Sequence, residues 1–166
     1  MPDFISQSDM ITRIRQKLEY ENSEHVTDAE LITYIDEGCK SFYDLVIAAG
    51  HPEFYRKTHD LNTVSGQAEY SLPDDFYRLL TVSYNYGASW QRARLYNIRD
   101  IATIKNAETY GSSDVIWYRL TGHRTGVLGA ITDTIDLRPA PNTVYPVSIE
   151  YVPRWQQLSN DGGPIY

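Results

Sequence analysis

The hydrophobic period changes once along this chain, at Pro52, and that change governs what the chain can fold into. Upstream of it, apolar residues recur at spacings of three and four, which winds them onto one face of an α-helix. Ile11, Ile14 and Leu18 form a first stripe over Ser8–Tyr20, with Ser6 or Ser8 as cap and Asp9 at the positive end of the helix dipole. Leu31, Tyr34, Ile35, Gly38, Phe42, Leu45, Val46 and Ala49 form a longer one. It opens on "TDAE", a capping box in which the Thr27 hydroxyl accepts the Glu30 amide while the Glu30 carboxylate reaches back. It closes at Gly50-His51-Pro52, a C-cap followed by a breaker. Asn22 and Ser23 separate the two segments, so they read as an antiparallel helical hairpin. Gly38 in mid-helix costs about 1 kcal/mol relative to alanine, which predicts a close approach of the other helix at that point.

Beyond Pro52 the period falls to two, the signature of half-buried strands. Strands are expected at Tyr55–Val64, Glu69–Leu72, Leu79–Tyr86, Trp90–Tyr96, Val115–Thr121, Thr134–Leu137 and Val144–Val152. A short helix capped by Asn97 carries Ile98, Ile101, Ala102 and Lys105. The punctuation is clearest in "GQAEYSLPDDFYRLLTV", Gly66–Val82. Gly66 supplies a turn, Pro73 stops the strand, and Asp74-Asp75 caps a short turn or helix in "DDFYRLL". If Asp75 is such a cap, its replacement by alanine costs about 1 kcal/mol or less. "RPAPN" is a proline-pinned turn. The expected fold class is therefore α+β: an N-terminal helical hairpin, then an antiparallel β-sheet region with one short additional helix, then an extended C-terminal arm. One domain is expected over residues 1–152, divided into a hairpin (1–51) and a mainly antiparallel β region (52–152), with the polar, glycine-bearing arm over 153–166. Thr27, Glu30, Gly66, Pro73 and Asp75 are the expected fold determinants.

Composition narrows the function classes. The 166 residues are 42% hydrophobic and 22% charged, enough for a core and too ordinary for wholesale disorder. A net charge of −7 opposes any role that wraps nucleic acid, which needs clustered lysine and arginine to displace counterions. Tyrosine outnumbers phenylalanine 14 to 4, which fits either good strand formers or contact surface, because the ring buries while its hydroxyl stays near water. The single cysteine, Cys39, lies within an apolar helical pattern and reads as an inert thiol. No apolar run is long enough to span a membrane, and "MPDFISQSDM" lacks the features of a signal peptide, so synthesis in the cytoplasm is expected.

The residues that carry chemistry do not assemble into a catalytic pattern. His25, His51, His59 and His123 show no ligand spacing, and neither HExxH nor CxxC is present, so no metal and no cofactor are expected. Asp74-Asp75 could pair as acid and base, but such pairs need two carboxylates facing one bond from different elements. "GHRTGVLG", Gly122–Gly129, is glycine-rich without the ending of a P-loop and reads as a hairpin tip; Arg119, His123 and Arg124 are the residues there to face DNA, an anion or a partner. Trp90, Trp117 and Trp155 with the tyrosines suit stacking on sugars, which keeps a carbohydrate-binding β-module as the alternative. No serine sits in a nucleophile elbow, and an enzyme is not expected.

Three blocks resemble one family in its order. "AELITYIDEGCKSFYDL" within the capped second helix, "FYRKTHDLNTVSGQAEYSLPDDFYRLLTV", and "IDLRPAPNTVYPVSIEYVP" followed by "QQLSND" are similar to head-to-tail adaptor proteins of tailed bacteriophages. The resemblance implies a structural protein of the virion, made in the host cytoplasm. It implies a homo-oligomeric, dodecameric ring below the portal that extends the DNA channel, lets DNA pass without specific binding and offers a surface to the next neck or tail protein, with no membrane involved. It also implies that a terminal arm clamps the portal or a neighbour, which singles out Arg154, Trp155, Leu158, Ile165 and Tyr166.

Overall fold

A computed structural model describes residues 6–18, 26–87, 89–104, 115–124 and 131–156. Two compact units emerge from it, Met1–Pro52 with Trp155–Tyr166 and Glu53–Arg154. The chain passes between them twice, at Pro52 and again after Arg154.

The first unit is helical. Helix α1 spans Gln7–Lys17, and Ser6 caps it by accepting the Asp9 amide at 3.1 Å. Helix α2 spans Asp28–Ala48. Its first turn carries a closed capping box: the Glu30 amide donates to Thr27 Oγ1 at 3.3 Å and the Thr27 amide to Glu30 Oε2 at 2.8 Å. Those bonds, the backbone one first, hold the Glu30 carboxyl below its ordinary pKa. The helices meet near their connecting ends through Arg15, which donates to Asp28 Oδ1 at 2.6 Å and to the Val26 carbonyl at 2.9 Å. The segment between them, Asn22 and Ser23 included, and His25 lie outside the described residues.

The second unit is a β-sandwich of two four-stranded sheets, α+β in class once joined to the helices. Its strands are β1 (Lys57–Asn62), β2 (Glu69–Ser71), β3 (Phe76–Tyr86), β4 (Ser89–Arg92), β5 (Arg94–Leu95), β6 (Trp117–Arg124), β7 (Ile131–Arg138) and β8 (Pro146–Pro153). The sheet orders are β1-β8-β3-β4 and β2-β7-β6-β5, antiparallel throughout except for the parallel β5–β6 pair. The expected single strand over Trp90–Tyr96 is thus two short strands in different sheets. Ala93 between them is 4% exposed and belongs to the shared core, so the chain crosses the sandwich there. The expected short helix appears as a 3₁₀ turn at Ile98–Asp100 that runs into helical residues 101–104; its continuation through Lys105 lies outside the described residues.

The core is drawn from both sheets: Val82, Ile135, Leu137, Val147 and Ile149 are each at most 1% exposed. Each such side chain stabilises the fold by roughly 1.5–3 kcal/mol. Tyrosine takes part for a reason phenylalanine could not supply. Tyr70 accepts the Val64 amide and donates to the Gln67 carbonyl, both at 2.9 Å, which ties the turn at Gly66 to β2. Tyr84 donates to Gln91 Oε1 at 2.9 Å, Tyr151 to Asp75 and Tyr96 to Asp136. Each ring fills volume while its hydroxyl satisfies a polar group at the sandwich margin. Gly66 itself has φ +79°, a left-handed conformation, and donates to the Pro141 carbonyl at 2.8 Å.

Two local expectations are corrected. "DDFYRLL" does not form a helix: the Phe76 amide closes a turn on the Pro73 carbonyl at 2.9 Å, and β3 begins at once. Gly38 is exposed, and a Cβ there would meet nothing within 4 Å, so among the described residues no helix approaches it.

Candidate partner-binding surfaces

The corner at Asp75 is where the ends of the first sheet are gathered. Its carboxylate accepts from Lys57 Nζ at 2.9 Å and from the Tyr151 hydroxyl at 2.8 Å, joining the starts of β1 and β3 to the end of β8. Burial pushes the Asp75 carboxyl up, but the hydrogen bonds from Lys57 and Tyr151 with the lysine charge outweigh it and hold it below its ordinary pKa. Tyr151, 4% exposed, is pushed up to about 12 by burial and by the adjacent carboxylate. The Asp75 carbonyl accepts the Arg154 amide, and the Arg154 guanidinium donates to the Phe76 carbonyl at 2.9 Å and to Asp133 Oδ2 at 3.1 Å. Arg154 therefore fastens the end of β8 within the sheet unit.

Trp155, the next residue, belongs to the helical unit. Its indole N–H donates to Asp36 Oδ1 at 3.0 Å, and its ring lies 5.7 Å from that of Tyr43. Asp36 is 8% exposed, so the indole supplies a partner that a buried carboxylate requires. Leu158, Ile165 and Tyr166 lie outside the described residues.

Arg119 sits in a packed network. Its guanidinium stacks over the Tyr96 ring at 5.4 Å, and Tyr96 donates to Asp136, which also accepts from Arg138 Nε at 3.1 Å. Asp136 is 3% and Tyr96 1% exposed, and burial followed by the Asp136 hydrogen bond pushes the Tyr96 hydroxyl up to about 12. Arg119 Nε is buried without a hydrogen-bond partner, which fits a stacking role better than capture of a phosphate from solvent. His123 and Arg124 lie at the end of β6, paired with Thr132 and Ile131, and residues 125–129 of the glycine-rich loop lie outside the described ones. Trp117 lies under Arg94 at 5.9 Å.

Two further surfaces are open. Trp90, 56% exposed, borders a groove of about 390 Å³ with Asp60, Asn62 and Ser148. On α2, Tyr34, Phe42 and Leu45 are 63%, 62% and 64% exposed although they belong to the helix's apolar pattern. Periodicity alone does not reveal this stripe, because it groups Tyr34, Phe42 and Leu45 with Leu31 and Ile35 on one face; the buried Tyr43 and Ile47 lie outside that pattern, and the wider apolar arc they create is the signal. Cys39 is half-buried, and burial followed by the Asp36 charge pushes its thiol up, away from nucleophilic use. Among the described residues no group of three or more His, Cys, Asp or Glu is placed to hold a metal ion, and no helix is long and apolar enough to cross a membrane.

These surfaces suit contact with macromolecules. Comparison with curated proteins gives no match. The family model described as SU10 adaptor protein matches residues 6–165, nearly the whole chain, and with the resemblance to phage head-to-tail adaptors already carried by its three sequence blocks, this chain belongs to the SU10 adaptor protein family.

Proposed function

We propose that the protein is a structural component of a tailed phage particle that forms a homo-oligomeric ring, dodecameric by analogy with other adaptors, between the portal and the next neck or tail protein. The match over residues 6–165 carries this reading, because an adaptor family points to a structural, non-enzymatic role at the head–tail junction. The chain's properties support the finer parts. A ring of copies each bearing −7 gives an acidic channel, through which DNA slides without phosphate-neutralising contacts. Arg154 and Trp155 are held by their own chain and anchor the start of the C-terminal segment, and the residues beyond them, Leu158, Ile165 and Tyr166, are the ones offered to the portal or a neighbour.

The test is electron microscopy of the purified protein mixed with the portal ring of its own phage. A second ring stacked on the portal is expected, with matching symmetry and density for the C-terminal segment reaching it. No added density, with both proteins folded, overturns the reading.

One observation favours a second reading. Trp90 beside Asp60, Asn62 and Ser148 offers a ring and hydrogen-bonding groups of the kind that hold a sugar. On that reading Trp90→Ala abolishes binding on a glycan array and leaves the fold intact.

A further inference from the structure

We propose that the open stripe of α2 docks onto α1 of a neighbouring copy, and that this unlike-face contact closes the ring; the inference rests on the ring reading above. Helical geometry places successive residues about 100° apart. On that wheel the apolar residues of α2 cover an arc of roughly 220°, more than an amphipathic surface helix needs. Only part of it is covered: Leu31, Ile35, Tyr43 and Ile47 are buried. Tyr34, Phe42 and Leu45, aligned with exposed Gly38 and Ala49, remain in water along roughly 22 Å of helix. Gly38 makes a notch in the middle of the stripe, with no atom of the described residues within 4 Å of where its side chain would begin. Here the cost of a mid-helix glycine is matched by space for a partner.

Two observations favour α1 of a second copy as the occupant. First, α1 is under-covered in the same way. No described side chain on it is buried; Met10 and Ile14 form an open groove of about 470 Å³, and Leu18, one turn further on, is 55% exposed. Second, the rims are opposite in charge. The groove on α1 is bordered by Arg13 and Lys17, whereas Glu37 and Asp44 run beside the α2 stripe. Along their lengths α1 carries three cationic residues against one acidic, and α2 five acidic against one lysine. The same pairing already occurs within the chain, where Arg15 of α1 holds Asp28 of α2. A chain bearing both halves of an apolar, charge-matched contact on different helices makes a heterologous interface, the kind that closes rings by rotation.

The experiment measures assembly by sedimentation, alone and on the portal ring, with thermal melts alongside. Phe42→Asp is expected to raise the concentration for half-assembly at least about tenfold and to leave the melt of the dissociated protein unchanged. A variant with Glu37→Lys and Asp44→Lys should weaken assembly, and adding Arg13→Glu and Lys17→Glu to the same chain should restore it, because each contact then has both signs exchanged. Assembly that survives Phe42→Asp overturns the docking proposal and leaves the ring reading standing. A fall in melting temperature with assembly unchanged means the stripe is covered within its own chain, and overturns it too. Loss without rescue assigns the stripe to a different partner face and overturns the α1 assignment. A wild-type chain that assembles neither alone nor on the portal overturns the ring reading itself.

Discussion

Asp75→Ala separates a local from a non-local role for the Pro73-Asp74-Asp75 corner. A carboxylate that only capped a turn would lose about 1 kcal/mol or less on truncation. The structure predicts more. Both oxygens of Asp75 are engaged from other strands, by Lys57 Nζ at 2.9 Å and the Tyr151 hydroxyl at 2.8 Å. Lys57 is half-exposed, so its ion pair contributes about 0.2–1 kcal/mol. Tyr151 is 4% exposed, and a hydroxyl left there without its partner costs about 1–3 kcal/mol. Asp75→Ala should therefore destabilise the protein by about 2–3 kcal/mol, read from urea unfolding followed by tryptophan fluorescence. Tyr151→Phe alone should cost about 1 kcal/mol, and in that background Asp75→Ala should cost markedly less, a coupling of about 1–2 kcal/mol in the double-mutant cycle. The pH dependence has a fixed sign. The folded-state pKa of Asp75 lies below its unfolded value, so its contribution is present above that unfolded value, about 3.9, and is lost as pH falls through the folded one. The gap between wild type and Asp75→Ala should narrow in strong acid, because the Lys57 ion pair is lost while a protonated Asp75 can still accept from Tyr151. An Asp75→Ala cost below about 0.5 kcal/mol, or a cycle that adds without coupling, refutes the cross-strand role.

The same geometry sets other outcomes. Tyr96 and Tyr151, each pushed up to about 12, remain neutral in the fold where the unfolded chain ionises near 10. Stability should be full below about pH 10 and fall between about pH 10 and 12, by up to roughly 1.4 kcal/mol per pH unit for each tyrosine; denaturation at stepped alkaline pH checks it, and Tyr151→Phe should flatten the slope. Gly38→Ala should stabilise the dissociated protein by up to about 1 kcal/mol, since the site is exposed and unobstructed, and a thermal melt reads the gain. Gly66→Ala should do the reverse by about 1 kcal/mol because φ is +79° there. Trp155→Phe keeps a ring for Tyr43 but removes the indole donor to Asp36, so a loss of about 0.5–1.5 kcal/mol is expected, seen as a lower melting point of the helical signal by circular dichroism.

Legible and hidden features of the sequence divide along the range of the interactions involved. The ends of α2 are legible because a capping box and a Gly-His-Pro stop act within a few residues. The start of β3 is not. Its pairing with β8 shifts register between Phe76 and Arg78 and again between Leu79 and Thr81, so alternation is broken where the strand begins, and Pro-Asp-Asp then imitates a helix start. The crossing at Ala93 leaves no mark either, because the residues on both sides of it keep period two while they serve different sheets. Asp75 stands out in the sequence, but its local setting points to the wrong neighbours: its partners come from other strands, Lys57 in β1 and Tyr151 in β8, and no local pattern encodes them.

The α2 stripe shows the same limit from the other side. Periodicity reports that a helix face is apolar, and it is silent on whether that face is buried by its own chain or by another. The structure divides the arc, with Ile35 and Tyr43 covered and Tyr34, Phe42 and Leu45 open. It also places Gly38 on the open side, where no other helix among the described residues packs against it. On the docking proposal, a residue that costs about 1 kcal/mol in the monomer clears space on an apolar, acid-rimmed surface for the basic-rimmed α1 of a second copy.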